Sequence, residues 1–327
     1  MSMGNRRVTM GYILIAATAF SILFTQAVQA ETIRLGVLKF GTVNWELKTI
    51  KSNAFDKANG FELQVDGFAS GSAAKIAFLA GELDGIVSDW IWVARQRAAG
   101  KDLVFIPYSK AVGSLLVPND SPIISLKDLA GRKIGIAGGP LDKSWLILRA
   151  YAQKELGLDL KAKTEQVFGA PPLIYKTALQ GHTDGTINFW HFLAKMKTKG
   201  FRQIFSVADA ATSLGLDPDT PLLGYVVRGK LAREKPELVA GFAAASRAAK
   251  KLLGSSDEAW EPLRKKMRVK TDAEFNALIA GFRAGIPSGK PVDKKSADRF
   301  FDVMIKYGGH KLVGDATQLP EGVFYTN

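Results

Sequence analysis

Leu79-Ala-Gly81-Glu-Leu-Asp84-Gly85-Ile-Val-Ser-Asp-Trp90-Ile-Trp-Val-Ala94-Arg-Gln-Arg-Ala-Ala-Gly100 and Leu179-Gln-Gly181-His-Thr-Asp184-Gly185-Thr-Ile-Asn-Phe-Trp190-His-Phe-Leu-Ala194-Lys-Met-Lys-Thr-Lys-Gly200 lie one hundred residues apart and align without a gap. Seven of the 22 positions are identical, and Arg95, Arg97 and Trp92 oppose Lys195, Lys197 and Phe192. At the same offset Asn44-Trp45 matches Ser144-Trp145, each at the opening of a helix after a glycine turn. A repeat of this length is the mark of a duplicated structural unit, and two similar α/β lobes account for it.

The flanking residues agree. Thr32 to Leu38 reads as a short apolar strand, followed by a Gly41-Thr-Val-Asn44 turn. Leu47, Ile50, Ala54 and Ala58 then recur at helical spacing, with Asn44 as N-cap and Gly60 as stop. A strand at Phe61 to Phe68, a Ser70-Gly71-Ser72 turn, a helix ending near Gly81 and a short strand at Ile86-Val87 follow. Such strand–helix alternation predicts parallel sheets covered by helices. Beyond the second unit the pattern turns helical, at Glu237 to Leu253, Asp257 to Lys266, Asp272 to Ala284 and Lys294 to Tyr307. Extended runs at Ser114 to Pro118 and Leu222 to Val227 flank the second unit and read as hinge strands. We therefore expect lobe 1 to be discontinuous, residues 31–116 and 225–327, with lobe 2 inserted as residues 117–224.

Composition narrows the chemistry. The 327 residues are 47% hydrophobic and 23% charged, as in a globular protein long enough for two domains. With no Cys there are no disulfides, thiolate metal sites, cysteine nucleophiles or lipid-bearing cysteine. Three His (His182, His191, His310) make a polyhistidine metal site improbable.

The start of the chain reads as an export signal. Arg6 and Arg7 form a positive region, Ile13 to Phe24 an apolar one, and Val28-Gln29-Ala30 places small residues for cleavage after Ala30. The apolar run is shorter than the ~20 residues a membrane anchor needs. The arginine pair leaves Sec and twin-arginine export both open. Removing residues 1–30 takes two Arg and no acid, lowering the net charge from +13 to +11. Such a charge suits nucleic acid, an anionic membrane surface or an anionic ligand. Export argues against nucleic acid. The densest basic cluster, Arg264-Lys265-Lys266 with Arg268 and Lys270, reads as a solvated face.

Ser70-Gly71-Ser72-Ala73-Ala74, Gly81-Glu-Leu-Asp84, Ser125-Leu-Lys-Asp-Leu-Ala-Gly-Arg-Lys-Ile-Gly-Ile-Ala137 and Leu179-Gln-Gly-His-Thr-Asp184 together carry a resemblance. Nearly all of residues 31–327 resembles the type II periplasmic solute-binding proteins of ABC importers, in the nitrate/taurine/sulfonate branch that takes in the NMT1/THI5-like proteins. The resemblance implies two Rossmann-like lobes joined by two crossover strands, with a ligand cleft between them. It also implies a small-molecule solute, an ABC permease as partner in the inner membrane, a monomer in the periplasm, and no cofactor. It does not identify the solute, since the branch binds anything from oxyanions to aromatic heterocycles.

In open parallel sheets, ligands sit beyond the carboxyl ends of the strands, where helix N-termini present free N–H groups. That rule places Asn44, Trp45, Glu46, Ser70, Gly71, Ser72, Asp89 and Trp90 in the first lobe's half of the cleft. Gly139, Asp142, Lys143, Ser144, Asn188, Trp190 and His191 line the second. The matched tryptophans 45/145 and 90/190 suggest an indole clamp. Glu46 and Asp89 suit ligand amino groups, and Lys143 with Ser144 suits an anion. Asp84 and Asp184 read as turn residues. With no Arg among these positions, an aromatic or nitrogenous solute is favoured over an oxyanion or sulfonate, and a metal complex stays open. An enzyme is disfavoured: Ser70, Ser72 and Ser144 have no His–Asp partnership, no Gly-x-Ser-x-Gly elbow occurs, and the Cys-rich motif of the fungal thiamine-precursor synthases is missing. Asp56, Asp66, Asp84, Asp89 and Asp142 are not placed together as a metal site. A periplasmic accessory protein with the same fold, serving another protein instead of a permease, is the remaining alternative.

Overall fold

The computed structural model describes Met1 and residues 30–326, so the expected export signal before Ala30 lies outside the described residues. The chain opens with β1 (Glu31–Leu38), α1 (Val43–Ser52), α2 (Phe55–Ala58), β2 (Phe61–Phe68), α3 (Gly71–Ala80), β3 (Gly85–Asp89), α4 (Trp90–Ala98) and β4 (Leu103–Ser109). A second run follows: β5 (Ser114–Pro118), β6 (Lys133–Ala137), α5 (Lys143–Leu156), α6 (Leu160–Lys163), β7 (Glu165–Gly169), α7 (Pro171–Leu179), β8 (Gly185–Asn188), α8 (Trp190–Lys197), β9 (Phe201–Ser206) and α9 (Val207–Ser213). The chain then returns through β10 (Leu223–Arg228), α10 (Gly229–Glu234), α11 (Pro236–Ser255), α12 (Arg264–Met267), α13 (Asp272–Ala284) and α14 (Lys294–Val313).

Two five-stranded sheets result, in the orders β2-β1-β3-β10-β4 and β7-β6-β8-β5-β9. Their topologies correspond. In each, the strand that has just crossed from the other sheet, β10 or β5, runs antiparallel between two neighbours. The boundaries expected at 116/117 and 224/225 fall inside β5 and β10, each of which belongs wholly to one sheet. The crossings are residues 110–113 and 214–222, since a strand pairs along its whole length or loses ladder bonds and α9 packs on α5, β5 and β9 of the second lobe. Lys110 in the first crossing and Asp219 in the second form an ion pair at 2.7 Å.

The sequence repeat is a structural one. Asp84 accepts from the Arg34 backbone N–H at 2.8 Å, and Asp184 accepts from that of Lys133 at 2.8 Å. Each turn aspartate thus ties the loop before β3 or β8 to the start of the parallel neighbour. Gly81 and Gly181 take positive φ (95° and 73°) where the preceding helices stop, a conformation that costs glycine nothing. Gly85 and Gly185 repeat for a different reason: a β-carbon at Gly85 would lie 3.0 Å from Leu35 Cδ1, and one at Gly185 3.2 Å from Ile134 Cδ1.

The first sheet is covered on both faces. One core gathers Trp45, Tyr225, Phe242, Trp260 and Phe282 from α1, β10, α11, the turn at Glu258–Leu263 and α13. The other packs Trp90, Phe105, Phe300 and Phe301 and continues into Leu115, Ile136 and Leu146 of the second lobe. Helix α14 carries that continuity by packing on both α4 and α5, and its backbone breaks at Gly309 (φ 57°, ψ −165°). The tail then returns to the first sheet, where Tyr325 N–H donates to Phe105 O at 2.8 Å. Of the other expected elements, Asp272–Ala284 is one helix, whereas Asp257 to Lys266 is a 3-10 turn (Glu258–Leu263) around Pro262 followed by α12. The helix expected to run on to Gly60 ends at Ser52, since Ala54 adopts φ 52°. Asn44 lies inside α1, not at its cap.

Candidate functional site

The carboxyl ends of β3 and β6 bring the N-termini of α4 and α5 face to face across the lobes. Asp89 caps α4, its Oδ1 accepting from Trp92 N–H at 2.8 Å. Its other oxygen receives Lys143 Nζ, from the first turn of α5, at 2.8 Å. Burial works to raise the Asp89 pKa, but the Lys143 ammonium, helped by Lys75, holds this carboxylate below the usual range. Burial likewise works against the Lys143 charge, and Asp89 outweighs it and raises the ammonium pKa. Asp142 caps α5 through Trp145 N–H at 3.1 Å. Burial pushes its carboxyl up to about 6 against that hydrogen bond. The buried Ser88 hydroxyl, next to Asp89, has no hydrogen-bond partner among the described residues.

Two residues join this group that strand ends and helix starts did not indicate. Lys75, one turn into α3, lies with its Nζ 4.6 Å from the centre of the Trp92 ring, and burial lowers its pKa. The match of Trp92 to Phe192 in the repeat was the signal available for the indole. Lys75 had none beyond its place just after the Ser70-Gly71-Ser72 turn.

The tryptophan clamp does not form. Trp90 is 0% exposed, enclosed by Phe300, Phe301 and Phe324 with ring centres 5.5–6.2 Å away, so it is core. Trp45 is 5% exposed and packs edge-on against Trp260 and Trp190. Trp145 is 2% exposed, so of the four matched tryptophans only Trp190 is half-buried, lying between Trp45 of the first lobe and Gly281 on α13. Glu46 is also withdrawn from the cleft. It is 0% exposed and is engaged by Lys250 Nζ at 2.6 Å, Tyr225 OH at 2.7 Å and Ser246 Oγ at 2.6 Å. Sealed from solvent and paired inside the first lobe, this carboxylate does not face the cleft. Asn44 donates both amide hydrogens to Leu38 O and Gly41 O, which shapes the β1–α1 loop.

The other expected positions are mostly structural in what they touch. Ser70 caps α3 through Ala73 N–H at 3.1 Å, while Gly71 and the exposed Ser72 form that helix's first turn. Gly139 accepts from Asp142 N–H at 2.9 Å. Asn188, 2% exposed, donates to Pro171 O and accepts from Phe189 N–H. Ser144 lies against the crossing, its Oγ 3.1 Å from where a β-carbon on Gly113 would be. His191 stacks on Phe192 with ring centres 4.5 Å apart, and burial, with Lys195 nearby, pushes its pKa down to about 3. The structure therefore brings together Asp89, Lys143 and Asp142, joined by Lys75, Trp92 and Ser88, with Trp190 at the α8–α13 contact.

Residues 51–259 match the family described as NMT1/THI5 like. The chain belongs to the NMT1/THI5-like family. No curated protein matches the sequence. Several solved structures share the NMT1/THI5-like chain's fold. The periplasmic aliphatic sulphonate binding protein SsuA from Escherichia coli is 21% identical with a TM-score of 0.68, over 87% of this chain and 94% of its own. The alkanesulfonate-binding protein SsuA from Xanthomonas axonopodis pv. citri, bound to MOPS, is 16% identical with a TM-score of 0.65, over 91% and 99%. A DszB mutant in complex with biphenyl-2-sulfinic acid is 17% identical with a TM-score of 0.57, over 90% and 98%. The architecture is thus that of the SsuA-type periplasmic binding proteins, two α/β lobes joined by two crossings.

Proposed function

We propose that the protein is the periplasmic solute-binding component of an ABC importer, acting as a monomer after cleavage behind Ala30. It binds one small organic solute between its lobes and presents the closed form to an inner-membrane permease. The observation that carries the binding reading is the Asp89–Lys143 ion pair, which spans the lobes at two facing helix N-termini. An acidic group on a solute would replace the Asp89 carboxylate on Lys143, at the positive end of a 14-residue helix. Lys75 over Trp92 supplies a second ammonium beside an aromatic face. This arrangement favours an anionic organic solute over the nitrogenous one that the missing arginines suggested. The sulfonate ligands named for the two SsuA structures are of that chemistry.

Closure then needs no covalent step. The solute binds the closed arrangement better than the open one, and the population shifts accordingly.

A thermal-shift screen of residues 31–327 tests this, using alkyl and aryl sulfonates, carboxylates, pyrimidines, polyamines and nitrate. A ligand at 100 times its Kd stabilises by about 2.7 kcal/mol. Acidic organic solutes should shift the midpoint, and Lys143→Ala should abolish the shift. Hits confined to cationic solutes would overturn the anion assignment. A flat screen would turn the assignment towards an accessory role for a protein partner.

A further inference from the structure

The basic run at Arg264 to Lys270 does not stand alone in the fold. Lys195, on α8 of the second lobe, donates to the backbone oxygens of Met267 (3.3 Å) and Arg268 (2.9 Å) in the first. Lys48, on α1, reaches Pro262 O at 2.7 Å and is close enough to Lys266 to disfavour its charge. Arg268 lies 4.1 Å from the ring centre of Phe40, a side chain 67% exposed at the end of β1. One face formed by both lobes therefore carries Lys48, Lys195, Lys266, Arg268 and Lys270 around an uncovered aromatic ring. None of these five cations has an ion-pair partner among the described residues. The nearby acids are already taken: Glu274 by Lys199 at 2.9 Å, Asp272 and Glu261 by Arg264 at 2.7 and 3.3 Å.

Like charges crowded without counter-charges oppose the folded state, unless an external anionic surface neutralises them. We infer that this face docks on a membrane surface through its anionic lipid headgroups. Lys48 and Lys195 are held by backbone oxygens, whereas Lys266 and Lys270 are point charges on flexible stems, which match mobile phosphates better than the fixed bidentate geometry of a protein carboxylate. An exposed phenyl ring under a guanidinium adds an apolar body with a polar cap, the side-chain type that settles at the headgroup level. The face does not depend on which solute the cleft takes, so failure here leaves the binding reading untouched, and the reverse.

The test is flotation of the chain from Glu31, which carries every described strand and helix, with phosphatidylcholine vesicles with and without phosphatidylglycerol. Binding is expected with the anionic vesicles and lost at about 0.5 M salt. The triple variant Lys266→Gln/Arg268→Gln/Lys270→Gln should lower the partition coefficient on the order of a hundredfold, about fivefold per charge removed. Lys195→Gln, from the other lobe, should add a further loss of about fivefold. The control Lys127→Gln/Lys161→Gln/Lys163→Gln, of equal net charge, should partition like the parent. Unchanged thermal midpoints show that all the variants fold. Equal binding to neutral vesicles, or a control as impaired as the triple variant, overturns the proposal. Binding to neither vesicle overturns it as well.

Discussion

Individual side chains decide where the cleft begins and where core takes over. Trp90 and Trp190 occupy the same place in the repeat, yet Trp90 is sealed by Phe300, Phe301 and Phe324 while Trp190 keeps an open side. Trp90→Ala should therefore destabilise the fold by about 3–5 kcal/mol, read from denaturant unfolding, since it empties a closed site. Trp190→Ala should leave stability nearly unchanged and weaken solute binding in calorimetry by about 1–3 kcal/mol. Glu46 is a second case. Removing Lys250 would strand its carboxylate in the interior, so Lys250→Met should cost about 3–5 kcal/mol, and Glu46→Leu with Lys250→Met should recover most of that loss. Asp142 gives a pH test. Its folded pKa, about 6, lies above the ordinary 3.8, so the folded state holds a proton that the unfolded chain releases between these values. The carboxylate's destabilisation therefore grows from about pH 4 to pH 6 and then levels off. Asp142→Asn keeps the cap, and its gain in melting midpoint over the parent should rise across that window. A constant difference would refute the shifted pKa.

Among elements, helices α8 and α13 meet across the lobes, and the meeting is tight at one point. A β-carbon on Gly281 would lie 2.7 Å from the Trp190 ring, a stiff group held on its other side by Trp45. Gly281→Ala should thus push the lobes apart, weakening solute binding by about 1–3 kcal/mol while each lobe stays folded. Small-angle scattering should show a larger radius of gyration for the variant; an unchanged radius and affinity would show that the indole yields instead. How far the elements could be read from the sequence follows from where their information lies. Strands β1, β2 and β10 and helix α13 are written in local periodicity, and the turns at Gly81 and Gly181 need glycine whatever surrounds them. The fate of Trp90 depends on Phe300 and Phe301, two hundred residues away, and that of Glu46 on Lys250. No local pattern carries such contacts. The anchoring Asp89 and Lys143 were visible because cap positions are local, whereas Lys75 reaches the site only through the fold of α3 against α4.

For the whole molecule, the lobes are joined by two crossings and by α14, which lies across α4 and α5. The Lys110–Asp219 pair ties one crossing to the other. The strand order has another consequence, for the path by which the chain takes shape. All five strands of the second sheet come from residues 114–206, so that sheet can assemble from one continuous stretch. The first sheet cannot, because β4 joins it only through β10, Leu223–Arg228, which threads between β3 and β4. Closing so long a loop is slow. In pulsed hydrogen exchange during refolding, amides of β6 and β8 should gain protection before those of β3 and β4. The half-built first sheet, with two strand edges open, is where a chaperone or a protease would find its chance.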